Sequence, residues 1–201
     1  FRKIPRAKVY LKFPHLIIIF LKIIFKKLVL SKKTVELEQT LQNHFGFKEV
    51  IMFSRARIAL FYLLKNLELP EGSEIIMTPL TIADIFNAMR WAGLTPVFCD
   101  LGKNTYNIDY KKLEETITPK TKILFITHLA GLATDMDEIE RIVKKYNLIL
   151  IEDISQAFNA KFKEKNLGTF GIASISSISF LKTFCALSGG ILGINESSSL
   201  L

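Results

Sequence analysis

A three-layer α/β/α fold built around a mostly parallel sheet is the architecture this chain predicts, and three observations carry the prediction. Apolar runs of strand length alternate with segments of helical period from about residue 33 onward. Runs such as Leu148-Ile149-Leu150-Ile151 are apolar at every position, as strands buried on both faces require. Polar residues then collect just beyond the ends of those runs, where ligand sites of open α/β sheets lie.

In chain order, a helix is expected over Thr34 to Phe45 and a short strand over Glu49 to Phe53. A helix from Arg55 to Leu67 follows, then a strand Glu74-Ile75-Ile76-Met77, a helix from Ile82 to Trp91 and a strand from Thr95 to Asp100. Asp109 to Ile117 reads as a helix, Lys122 to His128 as a buried strand, Asp135 to Tyr146 as a helix, and Leu148 to Ile151 as another buried strand. The end differs: Ala173 to Phe180 and Gly189 to Ile194 are consecutive strands with a short connection. Asp135 with Glu138 three residues later forms a capping-box-like pair, and Thr81 with Asp84 a weaker one, so Asp135, Asp137 and Glu138 read first as helix-capping acids.

Composition bounds the class. With 49% apolar and 23% charged residues, 201 residues are enough to bury a core as mostly one domain. The net charge of +8 is unevenly placed: every charged side chain from Arg2 to Lys33 is lysine or arginine, whereas the rest of the chain is nearly balanced. That argues against a broad nucleic-acid-binding face. Cys99 and Cys185 stand far apart and suggest neither a disulfide framework nor a zinc site, which fits a reducing, cytoplasmic compartment. His15, His44 and His128 are scattered, so no metal site is expected.

Leu16 to Leu30 reads LIIIFLKIIFKKLVL, too short for a simple membrane span. As a helix it places Lys22 and Lys26 on one face and Ile17, Leu21, Ile24 and Leu28 on another. Two readings stand side by side: a helix on an anionic membrane surface, giving peripheral contact through 16–30, and a helix docked on the protein's own body or on a partner subunit. The chain begins with Phe1 and ends in Ser197-Ser198-Ser199-Leu200-Leu201 soon after a strand, which suggests a fragment.

Candidate chemistry sits at the strand ends: Glu152-Asp153, Thr127-His128, Met77-Thr78, and Ser54 before the Arg55 helix. Strand alternation sends Glu152 and Asp153 to opposite sides of the sheet, with Ser155 and Gln156 just beyond. An acid there can cap a turn or serve a catalytic site. Lys182 lies among apolar neighbours; desolvation disfavours an ammonium, as an amine that attacks a carbonyl needs, while the bland alternative is a lysine snorkelling from an edge strand. The turn at Ser54 would offer helix-terminal amides to a phosphate. Gly168-Thr169-Phe170-Gly171 has the wrong spacing for a nucleotide loop.

From about Phe53 to Asn195 these features resemble the DegT/DnrJ/EryC1/StrS sugar-aminotransferase family, a fold-type I group dependent on pyridoxal 5'-phosphate (PLP). The resemblance is carried by Thr105-Tyr106-Asn107-Ile108-Asp109, Ile117-Thr118-Pro119-Lys120-Thr121-Lys122, His128-Leu129-Ala130-Gly131 with Asp135-Met136-Asp137, and Glu152-Asp153-Ile154-Ser155-Gln156-Ala157. It implies an aspartate aminotransferase-like large domain in which Asp153 bonds the pyridine nitrogen and Gln156 lies beside the ring substituents. Lys182, seven residues before Gly189-Gly190, becomes the Schiff-base lysine and proton carrier. Ser177 and the backbone at Arg55 and Ala56 would hold the phosphate.

The resemblance further implies amino transfer, typically from glutamate, to a nucleotide-linked keto-sugar in surface polysaccharide or glycan synthesis, by a homodimer. Residues 1–32 are then a basic apolar segment and 33–201 a PLP-binding large domain lacking the family's C-terminal small domain. Three positions depart from the family pattern: Arg55-Ala56 replaces Gly-Thr, Ile82 stands where an aromatic residue often stacks on the ring, and Leu187-Ser188 replaces Gly-Glu. A dehydratase branch replaces the lysine, so Lys182 speaks against it. The rival from another class is an inactive remnant or a membrane-associated binding protein of the same fold.

Overall fold

The structure is a computed structural model that describes residues 13–24, 32–179 and 182–195. Its elements run α1 (Phe13–Ile24), α2 (Lys32–Phe45), β1 (Glu49–Phe53), α3 (Ala56–Asn66), β2 (Glu74–Met77), α4 (Ala83–Trp91), β3 (Thr95–Phe98) and α5 (Tyr110–Thr116). Then come β4 (Thr121–Thr127), a 3-10 turn (Leu129–Gly131), α6 (Met136–Tyr146), β5 (Ile149–Asp153), β6 (Lys161–Phe162), β7 (Lys165–Asn166), β8 (Ala173–Ser177) and β9 (Gly190–Ile194).

Seven strands form one sheet in the order β1-β9-β8-β5-β4-β2-β3, and β6 pairs with β7 in a separate hairpin. The five neighbours from β8 to β3 run parallel, while β9 runs antiparallel to both β8 and β1. This is the expected mostly parallel α/β sheet.

Period-two alternation divides the core in two. Ile75, Met77, Ile123, Phe125, Ile151, Ala173 and Ile175 pack against α3 and α4 on one face. Ile76, Leu124, Ile126 and Leu150 pack against α5 and α6 on the other, continuous with Leu41 and Phe45 of α2. Phe125 is wholly buried, and burying such a side chain stabilises the fold by about 1.5–3 kcal/mol.

Helix boundaries follow local chemistry. Asp109 and Asp135 both cap: each carboxylate accepts two backbone N–H bonds from the first turn it precedes. Asn147 closes α6 in the left-handed conformation (φ 52°), which asparagine tolerates. The expected cap at Thr81 is not formed. The N-cap of α4 is Ile82, with no side-chain cap, because Asp84 is drawn instead to Arg57 on α3. The strand expected to run to Phe180 ends at Ser177, and that expected to reach Asp100 ends at Phe98.

Helix α1 does form, and its residues Phe13 to Ile18, Phe20 and Leu21 are exposed. Lys26 and Leu28 lie outside the described residues. No helix among the described residues is long and apolar enough to cross a membrane.

Candidate active site

Parallel strands deliver their carboxyl ends to one rim of the sheet, and the α3/α4 side of that rim holds a cavity of about 710 Å³. Its wall takes Thr127 from β4, Asp153 from β5, Ser177 from β8, Arg55 and Ala56 from the start of α3, and Ile82 from the start of α4. Ser155, Gln156, Ser179 and Lys182 complete the polar lining, and Tyr106 and Leu80 lie at the apolar margin. Lys182, Asp153, Gln156, Ser177, Arg55 and Ala56 are therefore brought to one space from three separate stretches of the chain.

Asp153 is buried. Burial pushes its carboxyl above the ordinary range, opposed by Ser155, through both its hydroxyl and its backbone, and by the positive charge of Lys182. Ser155 N–H donates to Asp153 Oδ1 at 2.8 Å, and the Ser155 hydroxyl oxygen accepts from Ser177 N–H at 2.8 Å, which ties β5 to β8 beneath the cavity. The Ser177 and Ser179 hydroxyls are 3.2 Å apart. Gln156 Oε1 accepts from Ala130 N–H at 3.0 Å, which holds the 3-10 turn against the site despite a positive φ of 55° at Ala130.

Gly190 sits opposite Ser177 on one side and Phe53 on the other. A Cβ there would lie 2.3 Å from both Ala56 N and Arg55 C, so only glycine lets the first turn of α3 descend onto the sheet. This close approach brings amides of that turn to the floor of the cavity, beside Ser177.

The segment from Ile178 to Gly189 carries Lys182. It is closed by Ile178 N–H to Gly189 O at 3.1 Å and Ala186 N–H to Ile178 O at 2.7 Å, and a turn bond joins Lys182 N–H to Ser179 O at 3.0 Å. Phe184 stacks on Phe158 with centroids 4.8 Å apart. Lys182 is half-buried rather than enclosed.

Glu152 and His128 belong to the opposite face. Both are fully buried, and Glu152 accepts four N–H bonds: Gly168 at 2.7 Å, Phe170 at 2.7 Å, Gly171 at 3.0 Å and His128 Nε2 at 3.1 Å. His128 Nδ1 accepts from Thr134 N–H at 3.2 Å, so its proton lies on Nε2. The Gly168–Gly171 stretch is a collar on a carboxylate, and sequence reasoning missed this role because the acceptor lies on a distant strand. Among the described residues, no group of three or more His, Cys, Asp or Glu side chains could hold a metal.

A doubly covered, mostly parallel sheet with a cavity at the carboxyl ends of its strands is the fold of the PLP fold-type I enzymes among its solved relatives. The chain belongs to the DegT/DnrJ/EryC1/StrS aminotransferase family, whose model matches residues 25–199. GDP-perosamine synthase of Escherichia coli O157:H7 is 37% identical over 157 residues, covering 77% of this chain and 42% of that protein. Among solved structures, Helicobacter pylori PseC, an aminotransferase of pseudaminic acid biosynthesis, superposes with a TM-score of 0.87 at 28% identity, over 98% of this chain and 53% of that one. An E. coli GDP-4-keto-6-deoxy-D-mannose-3-dehydratase with bound hydrated PLP gives 0.87 at 25% identity, over 98% and 52%. This chain thus spans about half the length of the proteins it matches.

Proposed function

We propose that this chain is the cofactor-binding part of a PLP-dependent aminotransferase that moves an amino group, from glutamate as donor, onto a nucleotide-linked keto-sugar for polysaccharide or glycan synthesis. The observation that carries the reading is the convergence of Lys182 and Asp153 on one cavity at the strand ends. Its volume is in the range of small-molecule sites and leaves room for a substrate beside a cofactor.

The residues present fit PLP. Asp153, a buried acid raised by desolvation, suits a cationic ring nitrogen, and holding that nitrogen protonated is its task. Ser177, Ser179 and the amides at Arg55 and Ala56 surround the space a phosphate would take. Lys182 supplies the amine for covalent attachment and then carries the proton to and from the substrate carbon. When bound, the cofactor supplies an electron sink for the carbanion left by proton removal. Gln156, fixed through Ala130, presents its amide to the cavity wall. Ile82, 62% exposed on that wall, offers apolar contact in place of a stacked ring.

The nucleotide-sugar substrate follows the relatives' names, and the homodimer and cytoplasmic setting follow the family. The division at residue 32, with α1 as a peripheral anchor on anionic membrane, is proposed from the basic, apolar character of the N-terminal segment. Anionic vesicles should pellet the chain more than neutral ones do; equal partition removes the anchor and leaves the enzyme reading untouched.

Mixing the chain with PLP, removing the excess and recording absorbance tests the core of the reading. A long-wavelength band that borohydride fixes covalently is expected in the parent and absent from Lys182→Ala. No band in either protein would overturn PLP binding by this chain and favour the inactive-remnant reading, which the missing ring at position 82 motivates.

A further inference from the structure

Two positions that depart from the family pattern, Arg55 and Ser188, are 133 residues apart in sequence and touch in the structure. Arg55 Nη1 donates to Ser188 Oγ, and the Ser188 hydroxyl donates to Ser54 O at 2.9 Å. The serine thus sits between the guanidinium and the backbone of the turn it belongs to, and restricts where that guanidinium can point.

Arg55 lines the cavity. Among the described residues no carboxylate lies within ion-pair distance of it, whereas Arg57, two residues on, is paired with Asp84. A guanidinium has five N–H donors, and the bond to Ser188 uses one. The same cavity is lined by Ser177 and Ser179, and Gly190, opposite Ser177 in register, admits the Arg55–Ala56 backbone. Ala56, however, brings no hydroxyl of its own. A guanidinium with no carboxylate partner among the described residues and a missing hydroxyl in the next residue make a complementary pair of observations, because a planar fork of donors matches phosphate oxygens.

Resting on the PLP reading above, we propose that the Arg55 side chain is a direct ligand of the cofactor phosphate in this chain, with Ser188 as the positioning residue that aims it. In this arrangement the phosphate is held by charge from a side chain as well as by backbone amides, and the Arg55–Ser188 contact links the phosphate corner to the segment that carries Lys182.

The test compares PLP with pyridoxal, which shares the ring and aldehyde but has no phosphate. Each is titrated into the parent chain, Arg55→Ala, Arg55→Lys and Ser188→Ala, with dissociation constants taken from the borohydride-fixable absorbance. Arg55→Ala should weaken PLP about tenfold to a hundredfold, the scale of a charged hydrogen bond, and leave pyridoxal unchanged. Arg55→Lys should recover part of the loss, and Ser188→Ala should lose less than Arg55→Ala, again for PLP alone. Unchanged PLP affinity in Arg55→Ala overturns the proposal. So does an equal loss for PLP and pyridoxal, because Arg55 would then act only by bracing the lysine segment. If the parent binds neither ligand, the PLP reading itself falls and takes the proposal with it.

Discussion

Glu152 and Asp153 are consecutive acids on one strand, both buried, and they face opposite sides of the sheet with opposite consequences. Glu152 is enclosed by four N–H donors drawn from a distant loop and His128. Asp153 draws hydrogen bonds from Ser155 and looks into a cavity, and burial lifts its carboxyl above the ordinary range. A carboxylate saturated by its own protein is architecture; one that faces a cavity is a candidate site.

Removing Glu152 is the largest effect this contrast predicts. Glu152→Ala leaves three backbone donors and a histidine N–H without their acceptor, and should cost about 3–5 kcal/mol in urea unfolding. A loss under about 1 kcal/mol would break the comparison, since the collar would then be dispensable. Asp153→Asn should act in the other direction. Because the native Asp153 holds its proton more tightly than the unfolded chain does, native stability falls as pH rises from the ordinary carboxylate range towards the raised native value. The asparagine variant, without added PLP, should lack that decline, so the two stability curves should separate as pH rises while PLP binding is lost. Parallel curves would mean that burial does not raise the Asp153 carboxyl. Smallest is Gln156→Ala, which leaves Ala130 N–H without its partner on an exposed turn. About 0.5–1.5 kcal/mol and faster amide exchange at Ala130 are expected, and unchanged exchange would detach Gln156 from that turn.

Much of this was readable in the chain because it depends on local period. The bounds expected for β1 and β2 are the observed ones, and alternation alone assigns Glu152 and Asp153 to opposite faces. What escaped depends on contacts between remote segments. Asp84 left its expected cap for Arg57 on another helix. The β6–β7 hairpin has two residues per strand, too few for any period to register. Glu152's collar and the Arg55–Ser188 contact each join segments whose sequences bear no mark of one another. Asp153 was legible because it follows a strand end, whereas the roles expected of Lys182, Gln156, Ser177, Arg55 and Ala56 came from the family resemblance; the partners of these residues were not legible.

The antiparallel course of β9 makes Lys182 a passenger on a bridge between two moored strands. Ser177 and Gly190 are neighbours in register, so both ends of the bridge are fixed by the sheet, and its span is closed by its own bonds at Ile178. On the proposed reading, lengthening or shortening the bridge would shift the Lys182 amine relative to Asp153 while the strand pairing of β8 with β9 stayed in register. A screen that scores only folding would pass such a chain, and one that scores the amine's reach would reject it. Fold and chemistry can therefore drift apart in this region one residue at a time.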